Sequence, residues 1–251
     1  MGRRRFRWLA FMTRQRRRRI IKTRRKVTGL ALVAAISFIA GMTDAVGLML
    51  AGDFVSFMTG NTTRAALAFG SGDYRHGIVL LCAIATFIGG NALGIVLAHV
   101  SRRRIFVVLG CVSLLLFVAS MLHGPALLLP QFYMIVLAMG MVNAAVEHIE
   151  GLPIGLTYVT GALSRFGRGI GRWIIGDRRV DWAIQIVPWT GMLTGAIIGA
   201  ILTHLVGALA LWVVALVTLG VAAATILIPR PLERRFAHGA PPRKVVLQQA
   251  K

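Results

Sequence analysis

One motif occurs twice in this chain, as Phe57-Met58-Thr59-Gly60-Asn61-Thr62-Thr63-Arg64 and as Tyr158-Val159-Thr160-Gly161-Ala162-Leu163-Ser164-Arg165. The two Thr-Gly pairs are 101 residues apart in a chain of 251. Further matches of glycines and of one polar segment have similar offsets: Gly90 and Gly94 with Gly191 and Gly195, and Gly41–Ala45 with Gly140–Ala144. A chain that repeats itself at about half its length is built from two copies of one unit.

The composition indicates that this unit lies in a membrane. Apolar residues make up 57% of the chain, charged residues make up 15%, and the mean hydropathy is +0.74. A soluble domain averages about half apolar and about a quarter charged. A helix crosses the hydrocarbon layer in about 20 residues, and six apolar segments are candidates, at 28–50, 78–100, 105–122, 126–146, 183–206 and 208–228. The sequence therefore predicts an all-α integral membrane protein with six transmembrane helices.

The basic residues predict the orientation in the membrane. The net charge is +21, and thirteen of the 29 lysines and arginines precede Val27. Three others lie at 102–104, five between 165 and 179, and six after Ile228. Because cytoplasmic loops carry an excess of lysine and arginine, both termini are predicted to be cytoplasmic. The chain then divides into a basic arm at 1–27, a membrane domain at 28–229 and a cytoplasmic tail at 230–251.

The basic arm has several interpretations. Nothing in residues 1–26 resembles a base-reading fold, so no nucleic acid partner is expected. A twin-arginine or transit signal is the alternative, but the apolar stretch that begins at Val27 is too long and carries Asp44. We expect the arm to hold anionic lipid headgroups, which contribute about 1 kcal/mol for each basic residue near the surface.

Each half of the membrane domain contains three predicted spans. The halves are about 28–125 and 126–229, and an odd number of spans makes the second copy enter the membrane from the opposite side. Inverted repeats of this kind are typical of secondary transporters, which bind substrate near the membrane midplane. They also occur in channels and in proteins that transport nothing. The repeat therefore favours transport without establishing it, and the oligomeric state stays open.

The repeated motif and a few buried polar residues form the candidate binding site. The segment from Phe54 to Phe69 is too short to span and too apolar for a water-facing loop, so it is predicted to be re-entrant or a broken helix. Threonines at a helix start can cap it, and helix starts favour anions. Asp44 lies inside an apolar span, where an ionisable group usually has a partner or a function, and Arg64 and Arg165 are the predicted partners. The candidate residues are Asp44, Thr59, Gly60, Asn61, Arg64, Asn91, Asn143, Thr160, Gly161 and Arg165.

A structural reading of the same residues is also open. The Thr-Gly pairs would then only break the chain for packing, and the arginines would extend to the lipid headgroups. The glycines of Gly90-x-x-x-Gly94 and Gly191-x-x-x-Gly195 allow close contacts between helices. No hydrolase, metalloprotease or phosphate-binding motif is present. We therefore expect no catalytic residues, no metal and no cofactor.

Three separated motifs resemble those of the YoaK-like family of bacterial multi-span membrane proteins. They are Gly41–Gly47, Phe57–Thr62 and Thr157–Arg165, and the resemblance runs from about Gly29 to Pro229. The resemblance implies an inner-membrane protein, and the family's shared domain has no established substrate. We expect transport of a small solute or ion, which Arg64 and the helix starts suggest is anionic. A membrane scaffold or regulator that uses the basic arm is the alternative, and an intramembrane enzyme is a third.

Overall fold

The computed structural model describes residues 2–122, 124–145, 148–149, 152–153, 159–178 and 180–229. The predicted cytoplasmic tail at 230–251 and the Tyr158 end of the second motif lie outside these residues. The described residues form eight α-helices: α1 Gly2–Ala51, α2 Met58–Gly70, α3 Tyr74–Val100, α4 Arg104–Met121, α5 Leu128–Val142, α6 Val159–Ile174, α7 Ile186–Val206 and α8 Ala210–Thr225. Two two-residue strands, β1 His148–Ile149 and β2 Leu152–Pro153, pair antiparallel between α5 and α6. The all-α prediction is confirmed by this helical architecture.

Five helical stretches within the described residues are long and apolar enough to cross a membrane, where the sequence predicted six. They are Lys26–Ala51, Tyr74–Val100, Arg104–Met121, Pro125–Val142 and Trp182–Thr225. The fifth stretch is 44 residues long and contains both α7 and α8. Gly207 separates these two helices, because its φ of +59° and ψ of −134° lie outside the helical region.

α1 is longer than the predicted first span. It runs without a break from Gly2 to Ala51, so the backbone of the basic arm is helical and continues directly into the membrane segment. Of the span window within Lys26–Ala51, 67% is buried, against 22% for the window within Tyr74–Val100. α1 is therefore a central helix of the bundle, whereas most of α3 faces outward.

Glycines set the contact between α1 and α7. A Cβ at Gly191 would lie 2.9 Å from Ala34 O, and one at Gly199 would lie 2.6 Å from Met42 O. These distances are shorter than van der Waals contact, so only glycine allows the two backbones to approach this closely. The residue numbers of the contacting positions increase together along both helices, which shows that α1 and α7 run in the same direction.

α3 and α5 make the matching contact. A Cβ at Gly90 would collide with Leu137 O, and one at Gly94 would lie 3.0 Å from Met141 O. These two helices also run in the same direction. α1 and α7 pair in the same way through Phe38, because Gly195 lies against Phe38 O.

This register corrects the predicted match between glycines. The segments Gly41–Ala45 and Gly140–Ala144 are 99 residues apart, and the same offset makes Leu137 the counterpart of Phe38. Gly90 packs on Leu137 O and Gly195 packs on Phe38 O, so the counterpart of Gly90 is Gly195, whereas the sequence predicted Gly191. The structural match is one helical turn away from the match in the sequence. A helix presents nearly the same face every 3.6 residues, so glycines spaced by four satisfy both matches.

α4 and α8 pack antiparallel and complete the bundle. The buried Ser113 hydroxyl donates to Ala215 O at 2.8 Å, and the rings of Phe117 and Trp212 are 4.4 Å apart. Arg103, just before α4, donates to Ile226 O at 2.6 Å at the end of α8. A cation stabilises the negative end of a helix dipole. We call the end of the bundle with Lys26 and Arg103 the basic end, and the end with Ala51 and Tyr74 the opposite end.

Candidate functional site

The loop at 52–57, which connects α1 to α2, folds back onto α1 and is held there by Asp44. One carboxylate oxygen of Asp44 accepts hydrogen bonds from Val55 N at 3.1 Å and from Ser56 N at 2.9 Å. Asp44 is buried at 7% exposure. Hydrogen bonds to a carboxylate are about twice as strong as neutral ones, so Asp44 fixes the position of this loop.

The sequence around Asp44 makes room for the loop. A Cβ at Gly47, one turn after Asp44, would lie 2.6 Å from a methyl group of Val55. Val55 itself is fully buried. Glycine at 47 therefore lets the loop lie directly against α1, close enough for its amides to reach the carboxylate.

Asn61, in the first turn of α2, holds the loop from the other side. Its side-chain nitrogen donates to Phe54 O at 2.7 Å. The side-chain oxygen is buried and has no hydrogen-bond partner among the described residues. A buried acceptor left unpaired lowers stability by about 1–3 kcal/mol. This oxygen is therefore a candidate to accept a hydrogen bond from a solute or to coordinate a cation.

Ser37 is a second buried oxygen of this kind. Its hydroxyl has no hydrogen-bond partner in the described part of the chain, and its side chain is fully buried. Ser37 precedes Asp44 by seven residues, so both lie on one face of α1, about 10 Å apart along the axis. It lies near the middle of the Lys26–Ala51 stretch and contacts α7, since a Cβ at Gly191 would be 3.1 Å from Ser37 Cβ.

A cluster of charged side chains lies at the opposite end of the bundle. Arg64 donates to Asp53 Oδ1 at 2.8 Å and to Gly52 O at 2.6 Å, and its guanidinium lies 5.2 Å from the ring centroid of Phe54. His76 Nε2 is 3.5 Å from the same Asp53 oxygen. These groups line an open cavity of about 580 Å³. Asp53 is therefore the counter-ion of the Arg64 guanidinium.

The structure corrects two predictions about this copy of the motif. Arg64 pairs with Asp53 and not with Asp44, whose partners are backbone amides. Thr59 does not cap α2, because the helix begins at Met58 with Phe57 at the N-cap and no capping side chain. Thr62 and Thr63 instead donate to carbonyls one turn earlier, at Met58 and Thr59.

The second copy of the motif begins α6, as the first copy begins α2. Arg165 donates through Nε to the buried Gln185 at 2.9 Å, so the predicted contact with Asp44 is wrong here also. Thr160 is exposed, and Gly161 is partly exposed. α2 and α6 have 13 and 16 residues, which is too short to cross the membrane, as was predicted for the segment from Phe54 to Phe69.

The two remaining asparagines lie at helix contacts. Asn91 donates to Phe87 O at 3.1 Å within α3, beside the close approach to Gly140. Asn143 follows α5 and donates to Met139 O at 3.4 Å. A Cβ at Gly60 would lie 3.1 Å from the ring of Phe54, so Gly60 also lies against the loop at 52–57. The ten predicted residues thus lie in separate environments, and four of them meet this loop: Asp44, Gly60, Asn61 and Arg64.

Sequence reasoning missed four residues of these sites. Asp53 and His76 surround Arg64, Gln185 binds Arg165, and Ser37 provides the unpaired hydroxyl. The spacing of seven between Ser37 and Asp44 was a usable signal for one polar face on α1. The only signal for Asp53 was the rarity of acidic residues, since the chain has eight of them and 29 basic ones.

Comparisons with known proteins agree with a membrane architecture. The model of a family described as Protein of unknown function (DUF1275) matches residues 32–224. A UPF0700 transmembrane protein of Rhizobium meliloti (strain 1021) is 57% identical over 225 residues, which cover 90% of this chain and 98% of that relative. No solved structure matches the chain.

Proposed function

Since this chain belongs to the DUF1275 family of membrane proteins, we propose that it moves a small solute or ion across the cytoplasmic membrane of a bacterium. Family membership confirms the resemblance to the YoaK-like proteins. The proposal includes both termini in the cytoplasm, with the basic end of the bundle on that side. It also includes six spanning helices in two inverted halves, at about 28–125 and 126–229.

The exchange of helix partners supports the inverted halves. The first helix of one half, α1, packs in parallel on α7, and the first helix of the other half, α5, packs in parallel on α3. The third helices, α4 and α8, pack on each other. A two-fold axis in the membrane plane produces this set of contacts, and transporters built this way bind substrate where the halves meet.

The observation that carries transport is the unpaired Ser37 hydroxyl. It is buried near the middle of α1, at the contact between α1 and α7, and therefore between the proposed halves. The polar face of α1 continues from Ser37 to Asp44 and the loop that it holds. This placement supports a polar path from the opposite end of the bundle toward the midplane as part of the proposal, because polar groups inside a membrane are associated with solute or ion pathways.

The same atoms bear on the charge of the solute. The Asn61 oxygen is an acceptor, the Ser37 hydroxyl can accept as well as donate, and Asp44 adds a carboxylate. Arg64, which together with the helix starts was the basis for expecting an anion, is paired with Asp53. We therefore propose a cation or a neutral hydrogen-bond donor as the solute in place of an anion.

Uptake by the full chain in proteoliposomes tests this function. A panel of inorganic cations, amino acids, sugars and organic acids should contain at least one solute with saturable uptake above that of empty liposomes. Ser37→Ala should lower this uptake by tenfold or more. Ser113→Ala is the matched control, because Ser113 is also buried but already donates to Ala215 O. Equal uptake by the Ser37 and Ser113 variants contradicts the proposed path.

A membrane scaffold or regulator is the second candidate, and the continuity of α1 supports it. The arm carries thirteen basic residues on the same uninterrupted helix as the first span. Anionic lipid or a partner bound to the arm would thus act directly on the position of a central helix. If Asp44→Asn and Arg64→Ala leave a growth or uptake phenotype unchanged while deletion of residues 2–26 abolishes it, the scaffold function replaces transport.

A further inference from the structure

α6 has two chemically opposite faces. At 100° for each residue, the bulky apolar residues between Val159 and Ile174 fall on one face, and all three arginines fall on the other. Glycine and serine fill much of the space between them. The apolar residues are Leu163, Phe166, Ile170, Trp173 and Ile174, and the arginines are Arg165, Arg168 and Arg172.

Most of the apolar face is not covered by the rest of the protein. Ile174 is 71% exposed. Leu163, Ile170 and Trp173 are also exposed. A helix of 16 residues with three arginines cannot cross the membrane, so these side chains are not explained by a transmembrane position.

α6 is fixed beside the start of α7. A Cβ at Gly169 would collide with the ring of Trp182, and Phe166 packs on the same ring with centroids 5.3 Å apart. Arg165 binds Gln185 in the turn before α7. Because the apolar stretch that contains α7 begins at Trp182, α6 lies at the boundary where the membrane begins.

We propose that α6 lies in the plane of the membrane surface at the basic end of the bundle and binds anionic phospholipid headgroups there. Its apolar face enters the boundary between headgroups and acyl chains, as interfacial helices with one apolar and one basic face do. The residues from 159 to 178 carry four arginines and one aspartate, which gives this segment a net charge of +3. Trp173, with Arg178 stacked 5.3 Å from its ring, adds an aromatic group suited to the interface.

A lipid surface accounts for these features better than a protein partner does. The exposed apolar side chains are at the level where a transmembrane stretch begins, so lipid is already present beside them. The charge of the segment is complementary to an anionic surface. This placement does not depend on transport, and the tests below do not require a transported solute.

Spin labels on the full chain in nanodiscs test the orientation of α6. In a background of Cys82→Ala and Cys111→Ala, single cysteines replace Ile170 and Ile174 on the apolar face, or Ser164 and Gly171 on the polar side. The apolar-face labels should collide mainly with oxygen and lie about 5–10 Å below the headgroups, and the other two should collide mainly with a water-soluble nickel chelate. Equal exposure of all four labels to nickel contradicts the proposal. Shielding of the apolar-face labels from both reagents also contradicts it and indicates a protein partner.

Retained lipid tests the preference for anionic headgroups. The double variant Arg168→Gln with Arg172→Gln is compared by native mass spectrometry with Arg75→Gln, an exposed arginine at the opposite end. Bound phosphatidylglycerol should fall by about fivefold for each α6 arginine removed, whereas bound phosphatidylcholine and the Arg75 variant stay unchanged. Equal phosphatidylglycerol retention by all variants contradicts the anionic preference, even if the spin labels place α6 at the surface.

Discussion

Replacing Gly94 by alanine forces α3 and α5 apart at a defined point. The new Cβ would lie 2.7 Å from Ala144 Cβ and 3.0 Å from Met141 O. Ordinary contacts between carbon atoms are about 3.5–4.0 Å, so the helices must separate locally by about 1 Å. Neither neighbour can rotate away, because one atom is a Cβ and the other belongs to the backbone.

Gly89→Ala is the matched control on the same helix. A Cβ at Gly89 meets nothing within 4 Å. Both substitutions gain about 0.8–1.0 kcal/mol of helix propensity, so this gain cancels when the two variants are compared. Overpacking costs about 1–3 kcal/mol, and the free energy of unfolding of Gly94→Ala should be lower than that of Gly89→Ala by this amount.

Steric trapping in lipid bicelles measures the free energies of unfolding of both variants under non-denaturing conditions. The expected order is Gly89→Ala at or above the unsubstituted protein and Gly94→Ala below it. Equal stability of the two variants would refute the close approach of α3 and α5. It would also remove a main support for the exchange of helix partners between the proposed halves.

Three further substitutions test the polar contacts by the same measurement. Asp44→Ala leaves Val55 N and Ser56 N without an acceptor and should lower the free energy of unfolding by about 1–3 kcal/mol for each amide. Asp44→Asn keeps one acceptor oxygen and should lower it by less than half as much. Equal losses for the two variants would contradict the loop contact. Asp53→Asn weakens a partly exposed ion pair and should cost about 1 kcal/mol or less, so a much larger loss would mean a more deeply buried pair. Arg103→Ala should cost about 0.3–1 kcal/mol through the end of α8, with Arg102→Ala as the neighbouring control; identical effects of the two would contradict a specific contact.

The spans could be predicted because hydropathy and length are local properties of a segment. The predicted segment at 78–100 lies within α3, and the one at 105–122 matches α4 to within a residue at each end. The start of α1 was missed because Gly2 to Lys26 is polar, and polarity shows where a helix leaves the membrane but not where it ends.

The site could be predicted only in part. Asp44 was recognised because polar groups in apolar surroundings are rare, and Asn61 was recognised as part of the repeated motif; both hold the loop at 52–57. Their partners were not recognised, because backbone amides leave no signal in a sequence. The arginine pairings were wrong for a related reason: which acid or amide lies within reach depends on the path of the loop.

The sequence by itself determined the class of this protein, its apolar segments and the recurrence of one motif about 100 residues along the chain. These properties depend on residue type and on spacing along the chain. Only the tertiary structure decided that α1 pairs with α7 and α3 with α5, that the glycine match shifts by one turn, and that Ser37 is left without a partner. Several alignments of two helices, one turn apart, bring nearly the same glycines into contact. The distance to which the two backbones can approach decides which alignment forms.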